Sequence, residues 1–197
     1  EVPGDIHPAL YRAGRLPDPF YGTNAEQCAW TGRRDWWFRR TFKPPASFRG
    51  ERYMLIFDGI DTWSEIWLNG KKIGETDNMF RDWHFDVTED LRQDEENLLA
   101  VCVKAHLPEL ESRDTNGYFA CFYTPRIFAR KAQCQFSWDW APNLPALGIW
   151  RGVRLEAVSP GIIEDIHIQG NTKGKCRLTI TTDQPHESSA GKRSADT

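Results

Sequence analysis

The chain has 197 residues, a length that suits one domain of ordinary size together with part of a second. It carries 25 Lys and Arg against 28 Asp and Glu, and the net charge of −3 argues against a nucleic-acid or anionic-membrane surface as its main function. The sequence shows no apolar run long enough to span a bilayer and no signal peptide, so we expect no membrane partner.

The cysteines of the chain are few and widely separated. An odd number without C-x-x-C spacing predicts reduced thiols, a cytoplasmic protein, and no zinc or other metal site. No phosphate loop or nucleophile elbow is present either, so we expect no cofactor. The cysteines are Cys28, Cys102, Cys121, Cys134 and Cys176.

The chain opens with a lead-in rich in Pro and Gly, in which residues 6–12 favour a short helix with Pro8 in its first turn. Short apolar or alternating runs then predict successive strands. Asn69-Gly70 predicts a tight hairpin between two of them, because both residues tolerate positive φ. The predicted strands are 36–42, 53–57, 63–68, 71–76, 80–87, 97–103 and 149–158.

The rest of the chain is connection and extension. Residues 88–96 favour a polar turn, and 106–126 a long loop of the kind that carries function on sandwiches. Together the strands predict an all-β, antiparallel, jelly-roll-like sandwich over residues 1–159. Two further strand-like runs predict that a second β domain begins at 160–183, and we expect 184–197 to be a polar, disordered tail.

The segment Trp138-Asp139-Trp140 sets a carboxylate between two indoles. An aromatic ring can cover the apolar face of a pyranose, and a carboxylate can accept hydrogen bonds from its hydroxyls, so this tripeptide suits a sugar pocket. The alternative is that both indoles fill the core while Asp139 satisfies a backbone donor. In a regular strand Trp138 and Asp139 would face opposite sides, so joint sugar contact requires a loop or bulge. We then expect Trp140 to point into the core, and Trp150 to be a core residue on a strand.

Other polar residues are less specific indications of a functional site. Asp77 and Asn78 could form a second polar loop near the site, although an Asx turn is the stronger interpretation. Other carboxylates, including Asp61, lie at predicted strand ends or turns, where capping and solvation are the expected duties. The five histidines are dispersed and are expected to be structural or exposed.

Several short motifs follow one another over residues 2–151. They are Val2-Pro3-Gly4-Asp5, Pro17-Asp18-Pro19-Phe20-Tyr21-Gly22, Arg39-Arg40-Thr41-Phe42, Gly59-Ile60-Asp61-Thr62, Leu68-Asn69-Gly70, Thr76-Asp77-Asn78-Met79-Phe80, Phe85-Asp86-Val87-Thr88, Trp138-Asp139-Trp140 and Gly148-Ile149-Trp150-Arg151. Together they resemble the N-terminal domain of β-mannosidases in glycoside hydrolase family 2. The sequence differs from the family's more frequent residues at Cys134, Gln135 and Ala141, where that family often has an aromatic residue, a histidine and a glycine, respectively.

The resemblance implies a galactose-binding-domain-like jelly roll, an immunoglobulin-like second domain truncated in this chain, and catalytic glutamates on a (β/α)₈ barrel beyond residue 197. It also implies that Trp138 and Asp139 help to form the pocket for a terminal β-mannose, with the barrel as the domain's partner. Residues 1–197 alone are then expected to be catalytically inactive.

Two other interpretations remain open. The chain could be a free-standing carbohydrate-binding module or lectin, or it could belong to an exo-β-glucosaminidase or another family 2 glycosidase. A third, non-functional interpretation holds that the aromatic residues only pack and that residues 1–197 alone bind no sugar, because half of the pocket wall is missing.

Overall fold

A computed structural model describes residues 1–159, 161 and 163–182. Within these residues, three short α-helices and several 3-10 turns accompany eleven strands, and every pairing between these strands is antiparallel. The helices are α1 (Ile6–Arg12), α2 (Asn24–Cys28) and α3 (His106–Glu111). The strands are β1 (Trp36–Phe42), β2 (Arg52–Phe57), β3 (Trp63–Leu68), β4 (Lys71–Asp77), β5 (Trp83–Asp86), β6 (Asn97–Val103), β7 (Phe136–Trp138), β8 (Ala141–Asn143), β9 (Val153–Val158), β10 (Ile163–Gly170) and β11 (Cys176–Thr182).

The core lies between a four-stranded sheet, in the order β1-β6-β3-β4, and a three-stranded sheet, in the order β5-β2-β9. The first sheet contributes Ile66 and Val101, and the second contributes Leu55 and Phe57, all of them buried. Alternation explains this, because every second residue of a strand faces the same side of its sheet. The predicted all-β antiparallel sandwich is confirmed.

The tight hairpin predicted at Asn69-Gly70 is confirmed. Both residues have positive φ, 52° for Asn69 and 86° for Gly70, as a type I′ turn requires. The Asn69 amide donates to the Asp90 carbonyl at 2.8 Å, and its side-chain oxygen accepts from Leu98 N at 3.0 Å. The turn is therefore anchored to strand β6 as well as closing β3 onto β4.

Three predicted elements differ from the structure. The strand predicted at 80–87 is shorter in the structure and comprises only β5. The residues before β5 form an Asx turn instead, in which Asn78 Oδ1 accepts from Phe80 N at 2.9 Å. The strand predicted from residue 149 begins at Val153, since Ile149 O accepts from Gly4 N in the lead-in. The long loop predicted at 106–126 begins with α3, where Pro108 stands in the first turn and costs no hydrogen bond.

Strands β10 and β11 form a separate two-stranded sheet. Ile166 pairs with Ile180 and Ile168 with Leu178, so one face of this hairpin is apolar, and all four side chains are exposed. The domain boundaries and the immunoglobulin-like assignment stay predictions. The tail predicted at 184–197 lies outside the described residues.

Two further sequence expectations concern the whole chain. All five cysteines are free thiols, and the cytoplasmic localisation inferred from them stays a prediction. Within the part of the chain that the structure describes, no helix is long and apolar enough to cross a bilayer.

Candidate functional site

The Trp138-Asp139-Trp140 segment forms the tip of the small β7–β8 hairpin. Trp138 ends β7 and pairs with Ala141 of β8, so Asp139 and Trp140 are the two turn residues. Ser137 has φ of 85°, which interrupts the regular pleat just before Trp138. The loop that joint exposure of Trp138 and Asp139 requires is therefore present, and both side chains are exposed at the tip.

Trp138 is held by neighbours on the long connection. The Phe122 ring lies 5.4 Å from the Trp138 ring, centroid to centroid, and the Arg126 guanidinium carbon lies 5.3 Å from the same ring. Arg126 is itself fixed, because it donates to the Cys121 carbonyl at 3.2 Å and to Gln133 Oε1 at 2.9 Å. The indole remains 39% exposed, so part of it is free to contact a ligand.

Asp139 differs from most carboxylates of this protein. Among the described residues it has no hydrogen-bond or ion-pair partner, although most other Asp and Glu side chains take part in caps or ion pairs. An ionised carboxylate accepts hydrogen bonds at two oxygens and donates none. The Asp139 carboxylate oxygens are therefore available to accept hydrogen bonds beside the exposed part of the Trp138 indole.

The structure corrects two expectations about neighbouring indoles. Trp140 does not point into the core, because a two-residue turn directs both of its side chains outward, and Trp140 is 72% exposed. Trp150 is half-buried and precedes β9 rather than lying on a strand. Its Nε1 donates to the Met79 carbonyl at 3.2 Å, and the Arg151 guanidinium stacks on it at 4.1 Å.

Several aromatic side chains of the long connection and of the hairpin are exposed. Tyr118 stacks edge to face on Phe128 at 5.9 Å, and Phe122 contacts Trp138. We call the exposed set the aromatic rim; it comprises Tyr118, Phe119, Phe122, Trp138 and Trp140. The Phe122–Trp138 contact joins the two segments, and contiguous exposed apolar area is typical of a ligand or protein contact surface.

The second polar loop lies beside the segment that leads into the hairpin. Asn78 forms the Asx turn described above, which was the stronger interpretation, and it bridges to Arg130. Met79 N donates to the Arg130 carbonyl at 3.0 Å. Asp77 is exposed at the end of β4. A sugar contact by Asp77 or Asn78 stays a prediction.

A buried polar cluster at the root of the hairpin was not anticipated from the sequence. Lys131 Nζ lies 2.9 Å from Asp61 Oδ1, 2.9 Å from His106 Nδ1 and 2.6 Å from the Ala146 carbonyl oxygen. Gln135 Nε2 donates to Asp61 Oδ2 at 3.1 Å. We call Asp61, His106, Lys131 and Gln135 the Lys131 cluster.

The expectation that Asp61 caps or is solvated is wrong, because Asp61 is 1% exposed and paired with Lys131, also 1% exposed. Burial lowers the pKa of Lys131 to about 8, although the charge of Asp61 opposes this shift. Burial, and then the nearby Lys131 charge, lower the pKa of His106 well below its usual value. No local pattern links residues 61, 106 and 131, so sequence periodicity could not have found them.

The described residues contain no group of three or more His, Cys, Asp or Glu side chains arranged to hold a metal ion. At the hairpin tip, Asp139 supplies hydrogen-bond acceptance and Trp138 supplies apolar contact. This combination fits recognition of a polyhydroxylated ligand with an apolar face.

Comparisons with known proteins identify the family of this domain. Residues 1–151 match the family described as glycosyl hydrolase 2 galactose-binding domain-like. The β-mannosidase of Mus musculus is 37% identical over 166 residues, which cover 79% of this chain and 19% of that protein. β-Mannosidase B of Emericella nidulans is 34% identical over 190 residues, covering 92% of this chain and 22% of that protein.

A solved structure is similar as well. The crystal structure of a β-D-mannosidase from Dictyoglomus thermophilum has a TM-score of 0.80 and 40% sequence identity, over 91% of this chain and 23% of that chain. The chain therefore spans about a fifth of the length of the curated relatives it matches.

Proposed function

Since this chain belongs to the glycosyl hydrolase 2 galactose-binding domain-like family, we propose that it is the N-terminal sugar-binding domain of a retaining exo-β-mannosidase. The complete enzyme would hydrolyse terminal, non-reducing β-D-mannose residues. The β-mannosidase relatives, which are 34–37% identical, support this substrate.

The hydrolytic groups of such an enzyme would lie outside this chain. A retaining glycosidase needs two carboxyl groups about 5–5.5 Å apart, one acting as nucleophile and the other as acid and then base. We assign both to a barrel domain that the longer relatives have room for, since the chain covers only 19–23% of their length. Residues 1–197 alone are then catalytically inactive.

This domain would contribute to the pocket for the terminal sugar. Asp139 would accept hydrogen bonds from sugar hydroxyls remote from the scissile bond, and Trp138 would cover an apolar face of the ring. The observation that carries this proposal is a carboxylate that has no partner among the described residues, next to a fixed and partly exposed indole. The aromatic rim would then pack against the barrel and exclude water from the pocket.

The test is hydrolysis of an aryl β-mannoside by the full-length enzyme with Asp139→Asn and Asp139→Ala. A charged acceptor that is buried once sugar is bound contributes about 3 kcal/mol, so we expect kcat/KM to fall by about 100-fold or more. Glu51→Gln is a matched control, because Glu51 is exposed and directly precedes β2. Asp61, which contacts the root of the Asp139 hairpin through Gln135, follows the opposite end of that strand.

Unchanged turnover in both Asp139 variants would remove Asp139 from the pocket. A full-length protein that cleaves an aryl β-glucosaminide and leaves the β-mannoside intact would transfer the proposal to exo-β-glucosaminidases. Hydrolysis of the β-mannoside by residues 1–197 alone would contradict the assignment of catalysis to the barrel.

A further inference from the structure

We propose that the Lys131 cluster sets the orientation of the Asp139 turn, which makes Lys131 and Gln135 positioning residues for recognition of the terminal sugar. The inference rests on the proposed function of Asp139. It adds residues that do not contact the sugar, and it links the core of the sandwich to the specificity of the pocket.

The first step is that Lys131 uses every donor it has. A lysine ammonium carries three N–H groups, and three acceptors surround Lys131 Nζ at 2.6–2.9 Å: Asp61 Oδ1, His106 Nδ1 and the Ala146 carbonyl. His106 Nδ1 must then be the unprotonated ring nitrogen. The proton sits on Nε2, which is buried and has no partner among the described residues.

The second step is that Asp61 is a fixed point. Its backbone N–H donates to the Gly148 carbonyl at 2.8 Å, and Gly148 N donates back to the Asp61 carbonyl at 3.2 Å. Its side chain accepts from Lys131 and Gln135, and also from the Thr62 hydroxyl. Asp61 therefore holds Lys131 and Gln135 in a fixed position relative to the sandwich.

The third step is that Gln135 ties both ends of the hairpin to this point. Gln135 directly precedes β7 and donates to Asp61 Oδ2, while its Oε1 accepts from Ala146 N at 3.0 Å beyond the end of β8. Its carbonyl also accepts from Leu144 N at 3.1 Å. The entry and exit of the hairpin are thus held by the same side chains.

The fourth step is that the hairpin depends on these ties. Its ladder consists of two residue pairs, Phe136 with Asn143 and Trp138 with Ala141, and an isolated two-stranded hairpin is marginally stable in water. Asp139 lies four residues beyond Gln135, so a tilt of about 5° at the root moves the carboxylate by about 1 Å. A displacement of about 1 Å can lower an enzymatic rate by about 100-fold.

The experiment is a double-mutant cycle in the full-length enzyme, with Gln135→Met and Asp139→Ala. Methionine keeps the length of glutamine and removes both hydrogen-bonding groups. If Gln135 acts through Asp139, Gln135→Met lowers kcat/KM for an aryl β-mannoside by about 10–100-fold. In the Asp139→Ala background the same change costs less than about 3-fold, because the effect has already been lost.

Gln93→Met is the matched control, since Gln93 accepts a surface hydrogen bond from Arg49 at 3.2 Å, and we expect it to leave kcat/KM unchanged. Equal losses in both backgrounds would show that Gln135 only stabilises the fold, and no loss at all would equally overturn the inference.

Hydrogen–deuterium exchange gives a readout that does not need activity. Gln135→Met should speed exchange at the Leu144 and Ala146 amides and leave the core strand β2 protected. Unaltered exchange at 144 and 146 would overturn the inference. A wild-type enzyme without β-mannosidase activity would contradict the proposed function. Faster exchange in the Gln135→Met variant of that enzyme would still show that the cluster orients the turn.

Discussion

At the scale of single residues, the buried ion pair between Lys131 and Asp61 carries a large desolvation cost. Desolvating two charges costs several kcal/mol each, and their attraction offsets this cost only when the remaining donors and acceptors are satisfied. Here the ammonium has three acceptors and the carboxylate has three side-chain donors. Removing one partner therefore costs more than the pair itself contributes.

We expect Lys131→Met to lower the free energy of unfolding of residues 1–197 by about 3–5 kcal/mol, because it leaves the Asp61 charge buried and uncompensated. The double variant Lys131→Met/Asp61→Asn removes both charges and should cost about 2 kcal/mol less than the single one. Urea denaturation followed by tryptophan fluorescence measures both.

Lys71→Met is the control for that series. The Lys71 ammonium pairs with Asp90 at 2.8 Å at the surface, and the Lys71 side chain is 65% exposed, so its loss should cost at most about 1 kcal/mol. A double variant less stable than Lys131→Met would contradict the charge argument.

The neutral His106 predicts a loss of stability in mild acid. In the folded chain its pKa lies well below 6.5, chiefly because of burial, whereas in the unfolded chain it takes up a proton as the pH falls through about 6.5. The unfolded state then binds more protons, so stability falls with falling pH by up to about 1.4 kcal/mol per pH unit.

His106→Asn tests this, because an asparagine oxygen can stand where Nδ1 stands and keep the Lys131 hydrogen bond without titrating. Urea unfolding between pH 5 and 7 should show a shallower fall for this variant than for the wild type. Parallel profiles would exclude His106 as the cause.

The sequence predicted the residues of the candidate site better than those beneath it. Trp138 and Asp139 were identifiable because the chemistry of their side chains is explicit and local. Asp61 was misjudged because its partner lies seventy residues away, and only the packed sheets bring the two together. Trp140 was misjudged because the sequence did not reveal that the hairpin turn has two residues.

At the scale of elements, the lead-in and the segment after β8 are in close contact. Gly4 N donates to the Ile149 carbonyl at 2.8 Å, and Ile6 N to the Leu147 carbonyl at 3.1 Å. A Cβ on Gly148 would lie 2.3 Å from the Gly4 carbonyl oxygen and 3.2 Å from Asp5 Cα. These neighbours are backbone atoms that cannot rotate away.

Gly148→Ala should therefore destabilise residues 1–197 by about 2–3 kcal/mol, because the lead-in must move and the Asp61–Gly148 bridge beside the Lys131 cluster is disturbed. Thermal unfolding measures the loss. Gly170→Ala in β10 is the control, since a Cβ there meets nothing within 4 Å, and it should be neutral or stabilising by up to about 1 kcal/mol. Equal melting temperatures for the two variants would refute the close-approach argument.

The regular strands were predictable because alternation with a period of two is written directly in the sequence, as in β3, where Ser64, Ile66 and Leu68 are buried. The hairpin strands β7 and β8 have three residues each, too few for a periodic signal. The boundaries of β5 and β9 depend on hydrogen bonds made by Asn78 and Gly4, which a single strand pattern does not contain.

At the scale of the whole molecule, the aromatic rim exposes large apolar side chains to water. Phe119 is 85% exposed, and Trp140 is 72% exposed. Apolar surface gathered in this way promotes association when its natural partner is missing. Under the proposed function, the barrel domain would be that partner.

We expect residues 1–197 alone to self-associate with increasing concentration, and Phe119→Ser/Trp140→Ser to shift the equilibrium towards monomer. Sedimentation velocity measures the change. Trp37→Ser is the control, since Trp37 is 56% exposed on strand β1, outside the aromatic rim, and should not alter association. A wild-type chain that stays monomeric at every concentration would contradict the role given to the rim.

The count of three donors and three acceptors at Lys131 has a consequence for how such a domain changes over generations. Each single substitution at position 61 or 131 leaves a charge or a donor stranded, so its effect depends on which residue already occupies the other position. Because natural domains sit only slightly above their stability threshold, most lineages would lose the fold at the intermediate step. The pair is therefore expected to change by paired substitutions, whereas a substitution of Asp139 in the exposed turn would alter sugar recognition without leaving a buried charge uncompensated.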